Sequence, residues 1–567
     1  MPNASAEPGV GVWMRAAVPV FLFLLTWLVW LLRPGVLSRG WRVFSQAAAH
    51  RGLAIVAAGF MAIAIRVAAL PLIPIPHPVL PDEFSHLLSA ETLVRGRITN
   101  PTPPAWKNIE SLFILYQPTY QSKYPIGQAA ALAAGWKLLG HPWFGVLITF
   151  GVMVAATCWM LQGWVPPAWA LLGATLLMLR MALFSDWINT YMGGTVAAIG
   201  GALTFGALPR LAKQPSGGLA AVFGLGIAVA MHTRPFESVM ICVLACGFLW
   251  WWLGKSLPLA RRLRVFIPIG AVVLAGLGIV LYQNWRITGS ALLMPYQLNK
   301  KAQGTPQNFY WQAPAPPPPF RLQRIADMYQ WQLSEYRKGS TLGGYFAQLK
   351  RKWITIFDFY LGYLLPAMIC ALIWRRDRRA AALFLIATAT FLWSSMYGYF
   401  YEHYFAPLTG VFLALGLLGL ETISGWKWRN APVGAFAAVV LILSAIQTTP
   451  YQLVMTLRRP ERLEELRFRK DLRREVEQRL TPVTGKHIVF ARTRRGWLAP
   501  AVWFHNGPNP ADSRVIWAQE IDAVTDREFL KAYPGRRIWT LDVDSPAPQP
   551  QPYRGPAAPE ALTGAVK

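Results

Sequence analysis

The chain has 567 residues, 54% of them hydrophobic and only 14% charged, with 26 Trp and a formal net charge of +28. A soluble chain of this size would carry more charge and shorter apolar runs. The recurring runs from Gly11 to Pro450 exclude a soluble globular enzyme and describe an α-helical polytopic membrane protein.

The excess of Arg and Lys does not indicate a nucleic-acid partner. These residues sit mostly in short segments between apolar runs, as the positive-inside rule expects. Taken in order, about twelve transmembrane helices are predicted, at 12–32, 52–73, 142–162, 167–184, 191–209, 218–233, 236–253, 264–283, 353–373, 380–397, 404–420 and 432–450. The first is long enough to span, lacks a basic flank before it, and is not expected to be a cleaved signal peptide. Five connecting segments are basic: Arg33, Arg39, Arg42 and Arg51 after the first span; Arg210 and Lys213; Lys255, Arg261, Arg262 and Arg264; Arg375, Arg376, Arg378 and Arg379; and Lys427 with Arg429. With twelve spans all five fall on one side, which the rule makes cytoplasmic. The expected protein is therefore a multi-pass protein of the bacterial inner membrane, with both termini extracytoplasmic. Cys158, Cys242, Cys246 and Cys370 lie within apolar runs and read as packing residues.

The outward segments hold most of the polar chemistry. The first, 74–141, contains "EFSHLLSAETLVRG", which reads as an amphipathic helix lying on the membrane, and a second surface helix over 127–139. Residues 284–352 are rich in Tyr, Trp, Gln and Pro, and are helical after the proline run at 316–319. These regions make 1–455 one transmembrane domain with outer loops 74–141 and 284–352. A small extracytoplasmic α/β domain is expected over 456–544. It opens with a charged helix and continues with strands in "HIVFAR", "AVWFHN", "RVIWAQE" and "RIWTLDVD". The Pro- and Ala-rich tail, 545–567, is expected to be disordered.

Adjacent acids open the first outer helix, Asp82 and Glu83 after Pro81. Acids in a first helical turn complement the helix dipole, so capping explains them as well as chemistry does. The chemical reading is a general base at the water–lipid boundary, with the second acid sharing the work or holding a divalent cation. Asp186 stands at the outer end of the fourth span. Lys123 and Arg234 are outward cations suited to a lipid-linked phosphate, although snorkelling would also account for them. Arg66, inside the second span, reads as half of a bundle salt bridge. In "YGYFYEHYFAPL", an aromatic belt explains the tyrosines but not Glu402-His403. Trp285, Tyr296, Gln297 and Asn299 could line an acceptor groove. No Gly-rich nucleotide loop and no metal or nucleophile motif is present, so a lipid-linked donor is favoured over a nucleotide sugar.

The Asp82-Glu83 pair in the first outer loop, the helix after it, Gly96, and Lys123 and Pro125 in "SKYPIGQ" together resemble the GT-C superfamily of membrane glycosyltransferases. The nearest echo is the branch containing protein O-mannosyltransferases and lipid A aminoarabinose transferases. Tyr124 stands where that branch has the first proline of its Lys-Pro-Pro, and the resemblance covers about residues 50–210. It implies a GT-C-like fold and a transferase with a polyprenyl-phosphate sugar donor and a glycan, lipid or protein acceptor. Asp82 would be the base, with Glu83 and Asp186 assisting. Lys123, Tyr124, Arg234, His403 and Tyr404 would contact the carrier phosphate or substrate. No cofactor is certain, and a divalent cation, if used, would fall to Asp82, Glu83 and Asp186. The competing reading is a transporter or flippase of lipid-linked glycans. Such proteins are commonly built from internal repeats, and none is visible here.

Overall fold

The structure is a computed structural model. It describes residues 20–29, 35–306, 309–374, 377–429, 431–447, 449, 453, 472–494 and 501–555. Its helices, in chain order, are α1 (Val20–Val29), α2 (Val36–Ala49), α3 (Arg51–Ala68), α4 (Pro81–Val94), α5 (Ile126–Leu139), α6 (Trp143–Leu161) and α7 (Pro167–Met181). They continue with α8 (Asp186–Asn189), α9 (Thr195–Lys213), α10 (Gly217–Met231), α11 (Pro235–Gly254), α12 (Leu259–Thr288) and α13 (Pro295–Gln303). The remainder are α14 (Gln323–Gly339), α15 (Leu342–Ile356), α16 (Leu365–Ile373), α17 (Arg378–Ser395), α18 (Thr409–Ser424), α19 (Val433–Ile446), α20 (Leu472–Leu480) and α21 (Ala523–Ala532).

Among the described residues, six helices are long and apolar enough to cross a membrane: α3, α6, α9, α11, α12, and α18 together with the 3-10 turn Glu402–Leu408 before it. A seventh arises if the stretches Leu342–Tyr360 and Gly362–Ile373, bent by 101° at the break between them, count as one. Shorter apolar helices, α1, α7, α10 and α19, accompany them. The protein is thus mostly helical and multi-pass. Its largest core runs through α6, α9, α10 and α18 and buries Trp143, Phe150, Phe205, Phe223 and Leu417. Small residues let these helices approach closely. A Cβ at Gly201 would lie 1.8 Å from the carbonyl oxygen of Pro407, so only glycine lets α9 meet the Glu402–Leu408 turn there. The thirty residues of α12 extend about 45 Å at 1.5 Å per residue, longer than a hydrocarbon core of roughly 30 Å. Its last turn reaches the loop between α4 and α5, where Ile287 O accepts a hydrogen bond from Thr119 Oγ1 at 2.8 Å.

Four strands follow the bundle: β3 (His487–Arg492), β4 (Val515–Ala518), β5 (Arg537–Asp542) and β6 (Gln551–Pro552). β1 (Ile114–Leu115) and β2 (Gln121–Ser122) form a small hairpin in the first outer loop. The sheet order is β4-β3-β5-β6, parallel across β4, β3 and β5, with β6 antiparallel at the edge. Side chains alternate across a strand, and β3 uses both faces. Ile488 and Phe490 pack with Leu88, Ile109, Tyr116 and Tyr120 of the first outer loop. Val489 and Ala491 pack with Val476, Leu480, Trp503 and Trp517. The sheet and the first outer loop therefore share one apolar core. Polar ties reinforce it: Asn108 Nδ2 donates to Gln519 O at 2.9 Å and to Asp526 Oδ1 at 2.6 Å, and Tyr120 donates its hydroxyl to Asn506 O at 2.9 Å.

Several expectations are corrected. The segment after α1 is a helix, α2, which carries Arg39 and Arg42. α4 does not lie on the bilayer by one face. Phe84, Ser85, Leu88, Ser89 and Thr92 are all buried, because the sheet covers the side opposite the bundle and its small polar residues bond inward. "AVWFHN" is not a strand; Ala501–Phe504 is a 3-10 turn. Asn506 takes the place of a strand partner, with Nδ2 donating to Trp517 O at 2.8 Å and Oδ1 accepting from Trp517 N at 3.0 Å. In the tail, Gln551–Pro552 pairs with β5, and the Tyr553 ring packs tilted against Phe490 with centres 5.2 Å apart. The rest of the tail, 556–567, and most of the charged helix before Leu472 lie outside the described residues.

Replacing Asn506 by Ala would leave both backbone groups of buried Trp517 without a partner. The expected cost is about 2–4 kcal/mol, read as faster amide exchange in 501–518 than elsewhere in the sheet. Unchanged exchange there would refute the role given to Asn506.

Candidate functional site

The polypeptide leaves α3 through residues 69–80 and enters α4 with Leu80 as its N-cap and Pro81 in the first turn, where a missing N–H costs nothing. The next two residues are both acids, and the structure separates their duties. Glu83 is fully buried. Its Oε2 accepts the backbone N–H groups of Val79 and Leu80, each at 2.9 Å, and its Oε1 accepts that of Tyr191 at 3.1 Å. Glu83 is therefore the capping acid, and it also clamps the loop before α9 to the start of α4. Asp82 is half-buried and turned toward Tyr124, whose hydroxyl donates to Asp82 Oδ1. Burial and the Asp82 charge hold the Tyr124 phenol well above its usual range, so it stays a donor.

Two cations face the same space. Lys123 Nζ lies 3.6 Å from the ring centre of Phe113, 5.1 Å from that of Tyr124 and 5.8 Å from that of Tyr296. Burial pushes its ammonium down to about 8, with Asp82 acting in the opposite direction. The Arg234 guanidinium sits 4.7 Å from the ring centre of Tyr404. Among the described residues neither head donates a hydrogen bond, and neither forms an ion pair with a carboxylate. A backbone contact sets their spacing: Gly127 N donates to His232 O at 2.9 Å, joining the start of α5 to the corner before α11. A Cβ at Gly127 would lie 2.7 Å from that same oxygen.

His86 shows the field these cations make. It stacks on Tyr124 at 4.5 Å, and its Nδ1 is buried with no hydrogen-bond partner. Burial first, then Arg234, His403 and Lys123, push its imidazole down to about 3, so it is neutral. Sequence reasoning missed His86, although it lies four residues after Asp82 and so on the same helical face.

The remaining wall comes from 397–404. Lys352 Nζ donates to Ser395 O at 2.9 Å and to Tyr397 O at 2.6 Å, which fixes the path of this segment. His403 is stacked on Tyr401 at 5.6 Å and has its Nδ1 3.7 Å from Glu402 Oε1. His403 and Tyr404 thus join Asp82, Lys123, Tyr124 and Arg234 around one space, as do Tyr296 and Tyr401. Glu237, also missed, is buried within the same field.

Other candidates fall elsewhere. Asp186 is exposed at the start of α8, on the loop that Glu83 grips. Asp82, Glu83 and Asp186 do not form a metal set: no group of three or more His, Cys, Asp or Glu is gathered among the described residues, and the Glu83 oxygens are taken by backbone donors. Among the described residues Arg66 makes no bundle salt bridge. It donates to Ile73 O at 2.8 Å, Pro74 O at 3.2 Å and Asn189 Oδ1 at 3.1 Å, because chain ends leaving the bundle expose carbonyls that need donors. Of Trp285, Tyr296, Gln297 and Asn299, it is Tyr296 that shares the site. Trp285 is exposed, Gln297 caps α13 through Met294 N, and Asn299 bonds Gln303.

No family profile matches the chain, and no curated protein does. Among solved structures, the chain is similar to the archaeal oligosaccharyltransferase AglB from Archaeoglobus fulgidus, in complex with an inhibitory peptide and a dolichol-phosphate, at 11% identity and a TM-score of 0.45. That match covers 80% of this chain and 64% of the other, so the chain spans less than two thirds of the oligosaccharyltransferase. It is also similar to ArnT from Cupriavidus metallidurans bound to undecaprenyl phosphate, at 12% identity and a TM-score of 0.45, covering 85% of this chain and 92% of that one. ArnT in the apo state matches over the same shares with a TM-score of 0.43.

The division between the two acids is testable by stability alone. Glu83→Ala strips one buried and two half-buried N–H groups of their acceptor and is expected to lower Tm by several degrees, whereas Asp82→Asn should leave Tm nearly unchanged. Equal losses in thermal unfolding of the two purified variants would contradict the assignment.

Proposed function

We propose that the protein is a glycosyltransferase of GT-C type that moves a sugar from a polyprenyl-phosphate donor to an acceptor hydroxyl, with Asp82 as general base and inversion at the anomeric carbon. The observation that carries this reading is the pairing of a carboxylate oriented by Tyr124 with two cations, Lys123 and Arg234, that hold no anion among the described residues. A phosphate suits two such heads, and a hydroxyl nucleophile needs the carboxylate. The resemblance of Asp82-Glu83, Lys123 and Pro125 to the GT-C pattern supports the same reading.

Asp82 takes the proton of the acceptor hydroxyl, and that oxygen attacks the anomeric carbon from the face opposite the phosphate. The carbon–oxygen bond to phosphate breaks, and its electron pair leaves with the polyprenyl phosphate. Lys123 and Arg234 stabilise the charge that grows on that phosphate. His86 and His403, with Tyr404, line the phosphate side, while Tyr296 and Tyr401 offer flat faces to the sugar. Glu83 serves by holding Asp82 in register. The topology that fits is the twelve-span one, which puts the site on the extracytoplasmic side of a bacterial inner membrane. The C-terminal sheet then covers the site from the periplasm and positions the acceptor.

Transfer from a radiolabelled polyprenyl-phosphate sugar pool in proteoliposomes tests the reaction. The native chain should label a water-accessible acceptor, and Asp82→Asn should lower the rate by about 10²–10⁴-fold while staying folded. Equal transfer by both would return Asp82 to a structural role. Movement of lipid-linked sugar across the bilayer without transfer would favour a flippase instead.

The Lys123 ammonium sets a pH dependence. With its pKa near 8 in the free protein, it is charged below that pH and neutral above it. Donor kcat/KM should therefore fall as pH rises through about 8. In Lys123→Arg, which stays charged, the falling limb should move up. Superimposable pH profiles for the two proteins would remove Lys123 from the phosphate site.

A further inference from the structure

At the other end of the bundle, a pocket of about 390 Å³ opens among the basic segments, within the roughly 300–1,000 Å³ range of small-molecule sites. Arg51 at the start of α3, Arg210 and Lys213 at the end of α9, and Arg379 at the start of α17 line it, with Glu421 the one carboxylate in its wall. The proposed catalytic site lies at the opposite ends of α3 and α9, about 27 Å away along the eighteen residues of α3. It makes no use of these side chains.

We infer that this pocket binds the phosphate headgroup of an anionic phospholipid in the leaflet on the basic side. Its cations divide into two that are anchored and two that are available. Arg210 spends its guanidinium on backbone, with Nη1 to Gly206 O at 2.6 Å and Nη2 to Trp159 O at 2.8 Å, and it lies 4.3 Å from the Trp159 ring centre. Arg379 grips Asp377 with Nε and Nη2 at 3.2 and 3.1 Å. The side chains of Arg51 and Lys213 donate to no described acceptor. Anchored cations shape a positive floor, and the other two can close on a ligand oxygen.

The surroundings favour a lipid over a free ion. Leu53, Val56 and Phe60, each about two-thirds exposed, form an apolar stripe on the face of α3 opposite Arg51, so the helix whose first residue lines the pocket offers apolar surface to acyl chains on its outer face. Four cations against Glu421 in the lining and Asp377 on Arg379 still leave an excess of positive charge, which disfavours a headgroup that carries its own positive charge. Basic pockets between membrane helices on the positively flanked side are suited to such headgroups.

The test is native mass spectrometry of the full chain in detergent, titrated with phosphatidylglycerol, phosphatidylcholine or inorganic phosphate, with thermal unfolding in parallel. Phosphatidylglycerol should bind most tightly and raise Tm. The double variant Arg51→Gln, Lys213→Gln should weaken its tightest binding by about tenfold or more. The charge-keeping pair Arg51→Lys, Lys213→Arg should retain binding and control for misfolding. Phosphatidylglycerol binding unchanged in the Gln variant would overturn the site. Inorganic phosphate or phosphatidylcholine giving an equal Tm rise would overturn its assignment to an anionic lipid.

Discussion

A carboxylate shut away from water must be met by donors, and the end of the bundle that carries the C-terminal sheet is arranged around one that is. Glu83 collects three backbone N–H groups from two separate stretches of chain. Two of them lie at the mouth of α4 and would otherwise be orphaned at a helix start. The third belongs to Tyr191, just before α9. One side chain thereby fixes the entry of α4 against the loop beneath it. It also fixes the direction of its neighbour: with Glu83 turned inward, Asp82 faces Tyr124 and the cations.

The cations are held by rings instead of by carboxylates. Phe113, Tyr124 and Tyr296 surround Lys123, and Tyr404 carries Arg234. Aromatic faces attract a cation without neutralising it. Burial first, and then Arg234, His403 and Lys123, push the His86 imidazole down, so it is neutral beside them. Burial brings Lys123 into a range where its charge depends on pH, a consequence of placing an ammonium in a partly dry wall.

The C-terminal sheet is bound into this arrangement. Its central strand turns Ile488 and Phe490 onto α4 and the first outer loop, and the back of α4 that might have met lipid meets protein. Phe84 at the start of α4 packs on His505 at 4.9 Å. Any movement of the sheet is therefore coupled to the helix that carries Asp82 and His86. The loop between spans and the C-terminal region, more than 350 residues apart in the chain, form one folded layer over the bundle.

Much was legible in the chain itself. Apolar runs too long for a soluble core announced the membrane helices, and an acid pair after a proline announced a helix start. "HIVFAR", "RVIWAQE" and "RIWTLDVD" carried enough β-branched and aromatic residues to mark β3, β4 and β5. These are local signals, set by the period of burial and by backbone propensity. What the chain could not disclose is which groups are satisfied by partners distant in sequence. Only the tertiary structure decided that Glu83 spends its charge on Tyr191 while Asp82 does not, that Arg66 serves carbonyls, and that Asn506 replaces a strand. It alone brought His86, Lys123, Arg234 and His403 to one wall. A side chain's role depends on the polar groups it finds when the chain closes, and that pairing is a property of packing, whereas helix and strand are properties of neighbouring residues.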